Sequence, residues 1–442
     1  MDRPAIDLPS RLLLNLKPWR NAATWRIAFS GGLDSTVLLH LLAHLAKTES
    51  LPALSAIHVH HGLQAVADAW PEHCRSVCAA LGVPLQIVRV QVQPGASLER
   101  AARDARYHTF AEVTGSGDVL LTAQHRDDQA ETLLFRLLRG AGVRGLSGMP
   151  RQRSLGKGHL LRPLLDVTRA ELEVYASAHG LSWIEDPSNQ DRQYSRNYLR
   201  HQVLPVLVQR WPQAVATMAR SAAHLAEAQG LLEELAEMDL REASSVSEFD
   251  WLGLRSLELA PLAQLSDARQ RNALSHWLEP LTRLPDTDHW SGWADLRDAT
   301  GDACPVWRLA DGELHRAGGR IWWLSGRWLQ PLPVAGAWQN PASPLVIPDN
   351  GVLSLTGQIP DGPLHIRYRE GGEVMALPGR GHRDLKRLLN ESGVPSFVRG
   401  RLPLLYKGDQ LLAVANLKGL DGSTSGNWHL HWQPLNEDQG LS

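Results

Sequence analysis

The feature that most constrains this chain lies at residues 25–42, where a β-type run, a glycine turn and an apolar helix follow one another without a gap. Trp25-Arg26-Ile27-Ala28-Phe29 reads as a strand, Ser30-Gly31-Gly32-Leu33-Asp34-Ser35 as a tight polar turn, and Thr36-Val37-Leu38-Leu39-His40-Leu41-Leu42 as a helix. Two glycines let the backbone take φ > 0 and approach a ligand closely, and the following helix turns its unpaired N–H groups and positive dipole end toward that place. The expectation is an anion, in particular a phosphate. The phosphate loop GxxxxGK[ST] is absent, and GxGxxG does not occur at this turn, so a Walker-type phosphotransferase and a dinucleotide enzyme are not the first readings. Ser30 and Asp34 could instead be plain helix caps, as Ser and Asp often are, but the strand and the paired glycines favour phosphate.

Strand and helix signals keep alternating through the first half. Apolar runs at 53–59, 85–92, 118–122 and 160–165 are separated by helix-like stretches at 66–81, 98–113 and 127–138, and Thr168 with Glu171 forms a capping box opening one more helix. This order predicts an α/β fold: an N-terminal doubly wound parallel-sheet nucleotide domain with helices on both faces and the ligand beyond the carboxyl ends of the strands. A long amphipathic helix at 222–240, with Leu225, Leu231, Leu232 and Leu235 along its apolar stripe, leads away from it. Residues 246–330 read as mixed and mostly helical, with a clear helix at 269–278 and a strand-like piece at 320–324. Their tryptophans, including Trp277, Trp290, Trp293, Trp307, Trp322 and Trp323, read as core before they read as base-stacking platforms. Residues 329–344, rich in Pro and Gly, read as a linker. Beyond it, short strands at 345–347, 352–355, 364–368, 402–406 and 411–415 with one helix at 385–391 suggest a small β-rich α+β domain. The expected division is therefore 1–215 (nucleotide), 216–330 (mostly helical middle) and 345–442 (C-terminal), in line with 442 residues at about 150 per domain.

Composition narrows the setting. No apolar run reaches the ~18 residues needed to span a bilayer, and Met1-Asp2-Arg3-Pro4 lacks the order of a secretory signal. Three cysteines, Cys74, Cys78 and Cys304, without a C-x-x-C pair, argue against a disulfide framework and a closed zinc site, so the reducing cytoplasm is expected. A net charge of −2 excludes a uniformly basic coat, yet Arg136–Arg169 holds eight Lys/Arg against one acid, and Arg367–Asp409 nine against five. Two local basic stretches on a neutral chain suit phosphate contact at chosen places; a solvated charged face is the alternative.

A second chemical signal follows the run at 118–122. In Gln124-His125-Arg126-Asp127-Asp128-Gln129-Ala130-Glu131-Thr132, helical spacing puts Asp127 with Glu131, and Asp128 with Thr132, on common sides, presenting oxygen ligands of the kind Mg²⁺ takes. Acids in a first helical turn also complement the dipole, which would explain an Asp pair but not His125 ahead of it.

The SGGxDS turn resembles that of the ATP-pyrophosphatase (PP-loop) superfamily, and the second string makes the likeness specific. Together with Arg139-Gly140-Ala141-Gly142 and Gly145-Leu146-Ser147-Gly148-Met149, it is similar to the HHxDDQxET…RGxGxxGLxGM region of the tRNA(Ile)-lysidine synthetases. Ile57-His58-Val59-His60-His61-Gly62-Leu63, Glu99-Arg100-Ala101-Ala102-Arg103, Arg162-Pro163-Leu164, Glu185-Asp186-Pro187-Ser188-Asn189, Arg196-Asn197 and Arg200 extend it in order through residues 25–205. The family's first His is Gln124 here, which keeps hydrogen-bonding capacity. Looser agreement continues from Gly371-Gly372-Glu373 to Arg401-Leu402-Pro403.

The resemblance implies ATP-dependent ligation of free L-lysine to C2 of the wobble cytidine in the CAU anticodon of tRNA(Ile), through an adenylated base, with release of pyrophosphate and AMP. It implies an ATP cradle at Ser30, Gly31, Gly32, Leu33, Asp34 and Ser35, with Asp34 and Asp128 as Mg²⁺ ligands. His125 or a nearby carboxylate is the candidate base for the lysine amine, which is otherwise protonated at neutral pH. Arg100, Arg103, Glu131, Arg139 and Arg196 are candidate substrate or phosphate contacts, and Arg380, Arg383, Lys386 and Arg387 candidate tRNA contacts. The alternatives are a PP-loop tRNA cytidine thiolase, which usually carries C-x-x-C pairs, and a small-molecule amide ligase, which would leave the C-terminal basic stretch without a purpose.

Overall fold

The computed structural model describes residues 7–62, 65–92, 98–300, 303–332, 336–424 and 426–435, with backbone alone for Ala65, Leu98, Glu99 and Thr287. Met1-Asp2-Arg3-Pro4, Leu63 and the Glu99 side chain, all used in the sequence reading, lie outside the described residues. The chain divides into two compact units, Met1–Gly230 and Leu231–Ser442.

In the first unit, β1 (Thr24–Ala28), β2 (Ala53–His60), β3 (Leu85–Arg89), β4 (Val119–Leu121), β5 (Gln152–Leu155) and β6 (Gly158–Leu161) form one sheet in the order β3-β2-β1-β4-β6-β5. The first five strands of that order are parallel, as the alternation of elements requires. The edge differs from expectation: β5 pairs antiparallel with β6 through a short turn at Gly156, so the run expected at 160–165 is half of a hairpin. The strand order reverses beside β1, and the crevice between the carboxyl ends of β1 and β4 is where ligands of such sheets sit.

Residue chemistry explains these elements. Trp25 and Ile27 alternate inward along β1 and are wholly buried. The Leu33–Leu45 helix, beyond its polar first turn, is mostly apolar because it lies inside the unit, with ten of its residues buried and the Arg169–Ala178 helix against it. Each leucine fully buried there is worth about 1.5–3 kcal/mol. The Arg169–Ala178 helix opens on the expected box, with Thr168 Oγ1 accepting from Glu171 N (3.2 Å) and Glu171 Oε2 from Thr168 N (2.7 Å).

The stretch read as the connector is longer than expected, Ala214–Ala243, and Leu231 on its supposed apolar stripe is 63% exposed. Buried Asp239 on the same helix is held by Arg269. In the second unit the helix expected at 269–278 spans Asp267–Leu278, and it and a further helix, Ser291–Asp298, are joined by a four-stranded antiparallel sheet built from 256–258, 306–308, 312–317 and 320–325, of which the sequence pointed only to the last. Two of the missed strands are three residues long, too short to show a period of two. Trp293, Trp307, Trp322 and Trp323 are buried core.

Toward the C-terminus, a six-stranded and a three-stranded sheet share one hydrophobic cluster with the Leu385–Glu391 helix, whose limits match the sequence reading. Part of the stretch read as a linker belongs to this core: Ala337–Trp338 pairs with Leu364–Arg367, and Trp338 is 3% exposed. One hydrophobic cluster contains Leu252, Trp322 and Leu324 together with Leu364, Leu404 and Trp432. Among the described residues no helix is long and apolar enough to cross a membrane.

Candidate active site

The glycine turn closes β1 and opens the Leu33–Leu45 helix with Gly32 as N-cap; no side chain caps that helix. Ser30 and Asp34 are therefore not the caps that the plainer reading would make them. Ser30 Oγ lies 3.0 Å from Ser35 Oγ, and Ser35 Oγ donates to the Gly32 carbonyl at 3.0 Å, so both hydroxyls are gathered over the open helix end. Only one of the two glycines adopts positive φ. Gly31 does, at 85°, and a Cβ there would meet Ile184 Cδ1 at 2.7 Å. Gly32 has φ −76°, and a Cβ on it would make ordinary contacts, 3.5 Å from Ser30 Oγ. Neither conformation nor packing demands glycine at 32, which suits a backbone left open for a ligand.

His125 follows β4 and caps the Arg126–Leu137 helix. Its Nδ1 accepts from Asp127 N (3.3 Å), and Asp128 Oδ2 accepts from His125 N (3.0 Å), a capping box with histidine in the usual Ser/Thr place. In the neutral ring this puts the proton on Nε2, which lies 3.7 Å from Asp34 Oδ1 and 3.6 Å from Asp128 Oδ2. Asp34 and Asp128, ninety-four positions apart, thus meet over one buried imidazole that is 1% exposed.

Two arginines complete the balance of charge. Arg169 Nη1 lies 3.4 Å from Asp34, and its backbone N donates to Asp127 Oδ2 at 2.9 Å. Arg200 bridges Glu131 (2.5 and 2.9 Å) and Asp128 (3.1 Å), and Glu131 is 2% exposed. Burial pushes the Asp34 carboxyl above the usual carboxylate range, and Asp128 adds to this, against the pull of His125, Arg169 and Arg200. Burial would lower His125, but Asp127, Asp128 and Asp34 outweigh it and hold the imidazole above its ordinary value. The sequence reading did not single out Arg169, although it follows directly on the capping Thr168; Arg200 was noted only within a matching string.

The turn and the acidic strand end border one cavity of about 590 Å³, lined also by His58, His60, His61, Arg103, Arg106, Tyr107, Glu185, Asp186, Arg196 and Arg200. Of the sequence candidates, Ser30, Gly32, Leu33, Asp34, Ser35, Arg103, Asp128 and Arg196 line it, and His125 and Glu131 stand behind it. Arg196 Nη2 reaches Thr132 Oγ1 at 3.5 Å. Arg100 and Arg139 are not brought to it: Arg100 pairs with Asp104 (3.6 Å), and Arg139 lies over the Phe135 ring at 5.1 Å. Gln124 keeps a polar role, accepting from Thr122 Oγ1 at 2.5 Å.

Some motif residues serve the scaffold. Gln129 clamps Met149 through both backbone groups (2.8 and 2.7 Å), and Arg136 donates to the carbonyls of Gly145 and Gly148. A Cβ at Gly148 would strike Gln129 Oε1 at 2.7 Å. Asn197 ties the 186–191 segment through Ser188 O and Asp191 O.

In the second unit Arg380, Arg383, Lys386 and Arg387 are exposed, on or beside the Gly381–Asp384 strand and the helix after it. Arg387 pairs with Glu391 (2.9 Å); among the described residues the other three form no ion pair.

Comparison with known proteins bears on this site directly. Residues 8–207 match the PP-loop domain model, 257–322 the TilS substrate binding domain and 364–432 the TilS substrate C-terminal domain. A tRNA(Ile)-lysidine synthase of Pseudomonas fluorescens is 74% identical over 441 residues, covering 100% of both chains. Namesakes from Pseudomonas syringae pv. tomato (65% over 436 residues; 99% of this chain and 98% of that one) and Pseudomonas aeruginosa (63% over 444 residues; 99% and 100%) follow. Three domain models in series, and relatives similar over their whole length, agree with the crevice just described: the chain belongs to the tRNA(Ile)-lysidine synthase family.

Proposed function

We propose that this enzyme ligates lysine to C2 of the wobble cytidine of a tRNA(Ile) with a CAU anticodon, using ATP. The observation that carries the site assignment is the meeting of Asp34 and Asp128 over His125 beside an uncapped, glycine-opened helix end. Family membership carries the reaction.

The triphosphate rests on the 30–35 turn, where backbone N–H groups and the Ser30 and Ser35 hydroxyls meet its oxygens. O2 of the flipped cytidine attacks the α-phosphate, the bond to the β-phosphate breaks, and pyrophosphate leaves. Asp34 and Asp128 would hold Mg²⁺, whose supply of positive charge offsets what builds up on the leaving group. The donor set fits that ion: two carboxylates plus phosphate oxygens is its usual complement, and among the described residues no set of three or more His, Cys, Asp or Glu forms an all-protein cage. The ε-amine of lysine, after losing a proton, attacks C2 and AMP leaves. His125 could take that proton on Nδ1 only by giving up its helix cap, so we assign it the holding of the two carboxylates and leave the proton to a carboxylate. Arg103 and Arg196 are proposed phosphate contacts within the cavity, and Arg380, Arg383, Lys386 and Arg387 an exposed surface for tRNA phosphates. A reaction that consumes ATP, free lysine and tRNA supports a cytoplasmic location.

Incubation with ATP, Mg²⁺, labelled lysine and total bacterial tRNA tests the whole reading. Label in tRNA is expected. ATP turnover without label would replace it with another PP-loop reaction.

A further inference from the structure

On its wall formed by the Leu98–Val113 helix, the cavity changes character. Arg103, Arg106 and Tyr107 line it there. Guanidinium groups flank the Tyr107 ring: Arg103 Cζ lies 5.0 Å from its centroid and Arg153 Cζ, from β5, 4.9 Å. Arg162, just after β6, lies beside its hydroxyl. So many cations round one aromatic residue are ordinarily interleaved with carboxylates, yet among the described residues Arg103, Arg153 and Arg162 form no ion pair. Arg162 is 3% exposed, donates Nη1 to Pro150 O at 2.7 Å, and has an Nε without a hydrogen-bond partner.

The crowding is felt in protonation. Burial pushes the Tyr107 phenol up, but Arg103, Arg162 and Arg106 outweigh it and pull it below its ordinary value. Burial first, and then Arg196 and Arg103, lowers Arg136. A carboxylate would fix these arginines by cancelling their charge. An aromatic face fixes a cation through its quadrupole and leaves the charge in place.

We propose that Tyr107 is a positioning residue, whose ring holds Arg103 and Arg153 as an un-neutralised cationic surface that receives a phosphate group of a substrate. This deepens the ligase reading and rests on it for the identity of the substrates. Two sources share that chemistry, the triphosphate of ATP and the phosphodiester backbone beside the wobble base. Arginine suits both, since its planar fork meets phosphate oxygens in pairs.

The test compares Tyr107→Leu, Tyr107→Phe and Arg153→Met with the wild type. It measures equilibrium binding of ATP without RNA, binding of an anticodon stem-loop RNA without ATP at several salt concentrations, and kcat against KM. Tyr107→Leu is expected to weaken binding of one ligand about tenfold, with kcat at saturation retained. Tyr107→Phe, which keeps the ring, should stay within about twofold. Arg153→Met, at an exposed position, should weaken the same ligand without disturbing the fold. A loss confined to RNA with a shallower salt dependence assigns the surface to the phosphodiester; a loss confined to ATP assigns it to the triphosphate. Wild-type affinity for both ligands in Tyr107→Leu, or a fall in kcat alone, overturns the proposal, as does a Phe variant as impaired as Leu. Failure of the wild type to join lysine to tRNA would strike the ligase reading and leave these binding results standing.

Discussion

The candidate sites of the two units treat charge in opposite ways. In the first, Asp34, Asp127, Asp128 and Glu131 meet His125, Arg169 and Arg200 at the ends of β1 and β4, and His125 and Glu131 are nearly sealed from solvent. In the second, Arg380, Arg383 and Lys386 stand in solvent without ion pairs among the described residues, Arg383 on the exposed Gly381–Asp384 strand, Arg380 just before it and Lys386 on the helix after it. Charges held in a sheltered crevice act strongly on a few atoms, which bond-making requires. Exposed charges act weakly and add up along a polyanion, which affinity for tRNA requires. Single changes should therefore be decisive in the first unit and slight in the second.

The largest effect is expected from Asp34→Asn or Asp128→Asn, either of which should lower lysine incorporation by about a thousandfold or more while ATP-independent RNA binding persists. Retention of more than about a tenth of the activity in both would break the contrast. Next comes Arg200→Met, which leaves buried Glu131 without its cation. A loss of stability of about 3 kcal/mol, read from the denaturant midpoint, is expected. Reversing Arg383, Lys386 and Arg387 together to Glu should weaken tRNA binding roughly tenfold and flatten its salt dependence, with ATP binding unchanged. Unchanged tRNA affinity would remove that surface from the interface.

A smaller, pH-dependent effect is expected at Glu171. Burial would raise its carboxyl, but the Thr168 backbone and hydroxyl together with Arg11 outweigh it and hold the group below its ordinary 4.5. Depressed in the folded state, it adds stability that is present above the unfolded value and fades as pH falls through the folded one. Arg11→Met should therefore lower the melting temperature at neutral pH and flatten its decline in acid, as thermal scans between pH 3 and 7 would show. The least effect should come from Arg387→Ala, whose pairing with Glu391 is exposed: under about 0.5 kcal/mol by chemical denaturation.

Much of the nucleotide unit was legible because its signals are local. A strand followed by Ser30-Gly31-Gly32 and an apolar helix can be read from adjacent residues, and so can Thr168 with Glu171. The β5–β6 hairpin was not legible, since four-residue strands show too little periodicity. Nor was Leu231, which has the spacing of an apolar stripe but faces solvent. Trp338 sat in a stretch whose Pro and Gly content spoke for a linker while its side chain belongs to the core. In the site, Asp34 and Asp128 were marked by their motifs, whereas Arg169 and Tyr107 carry no local mark of their roles.

The sequence by itself determined the α/β order, the glycine turn that opens the Leu33–Leu45 helix, the acidic helix start and the family likeness, because each is written in residues close together along the chain. Tertiary structure alone decided which cation answers which carboxylate, that Gly31 and not Gly32 needs positive φ, and that Tyr107 gathers arginines from a helix, a hairpin and the segment after it. Those choices depend on distances between residues far apart in the chain, and distance in space is fixed only when the sheet has closed and water has left the crevice.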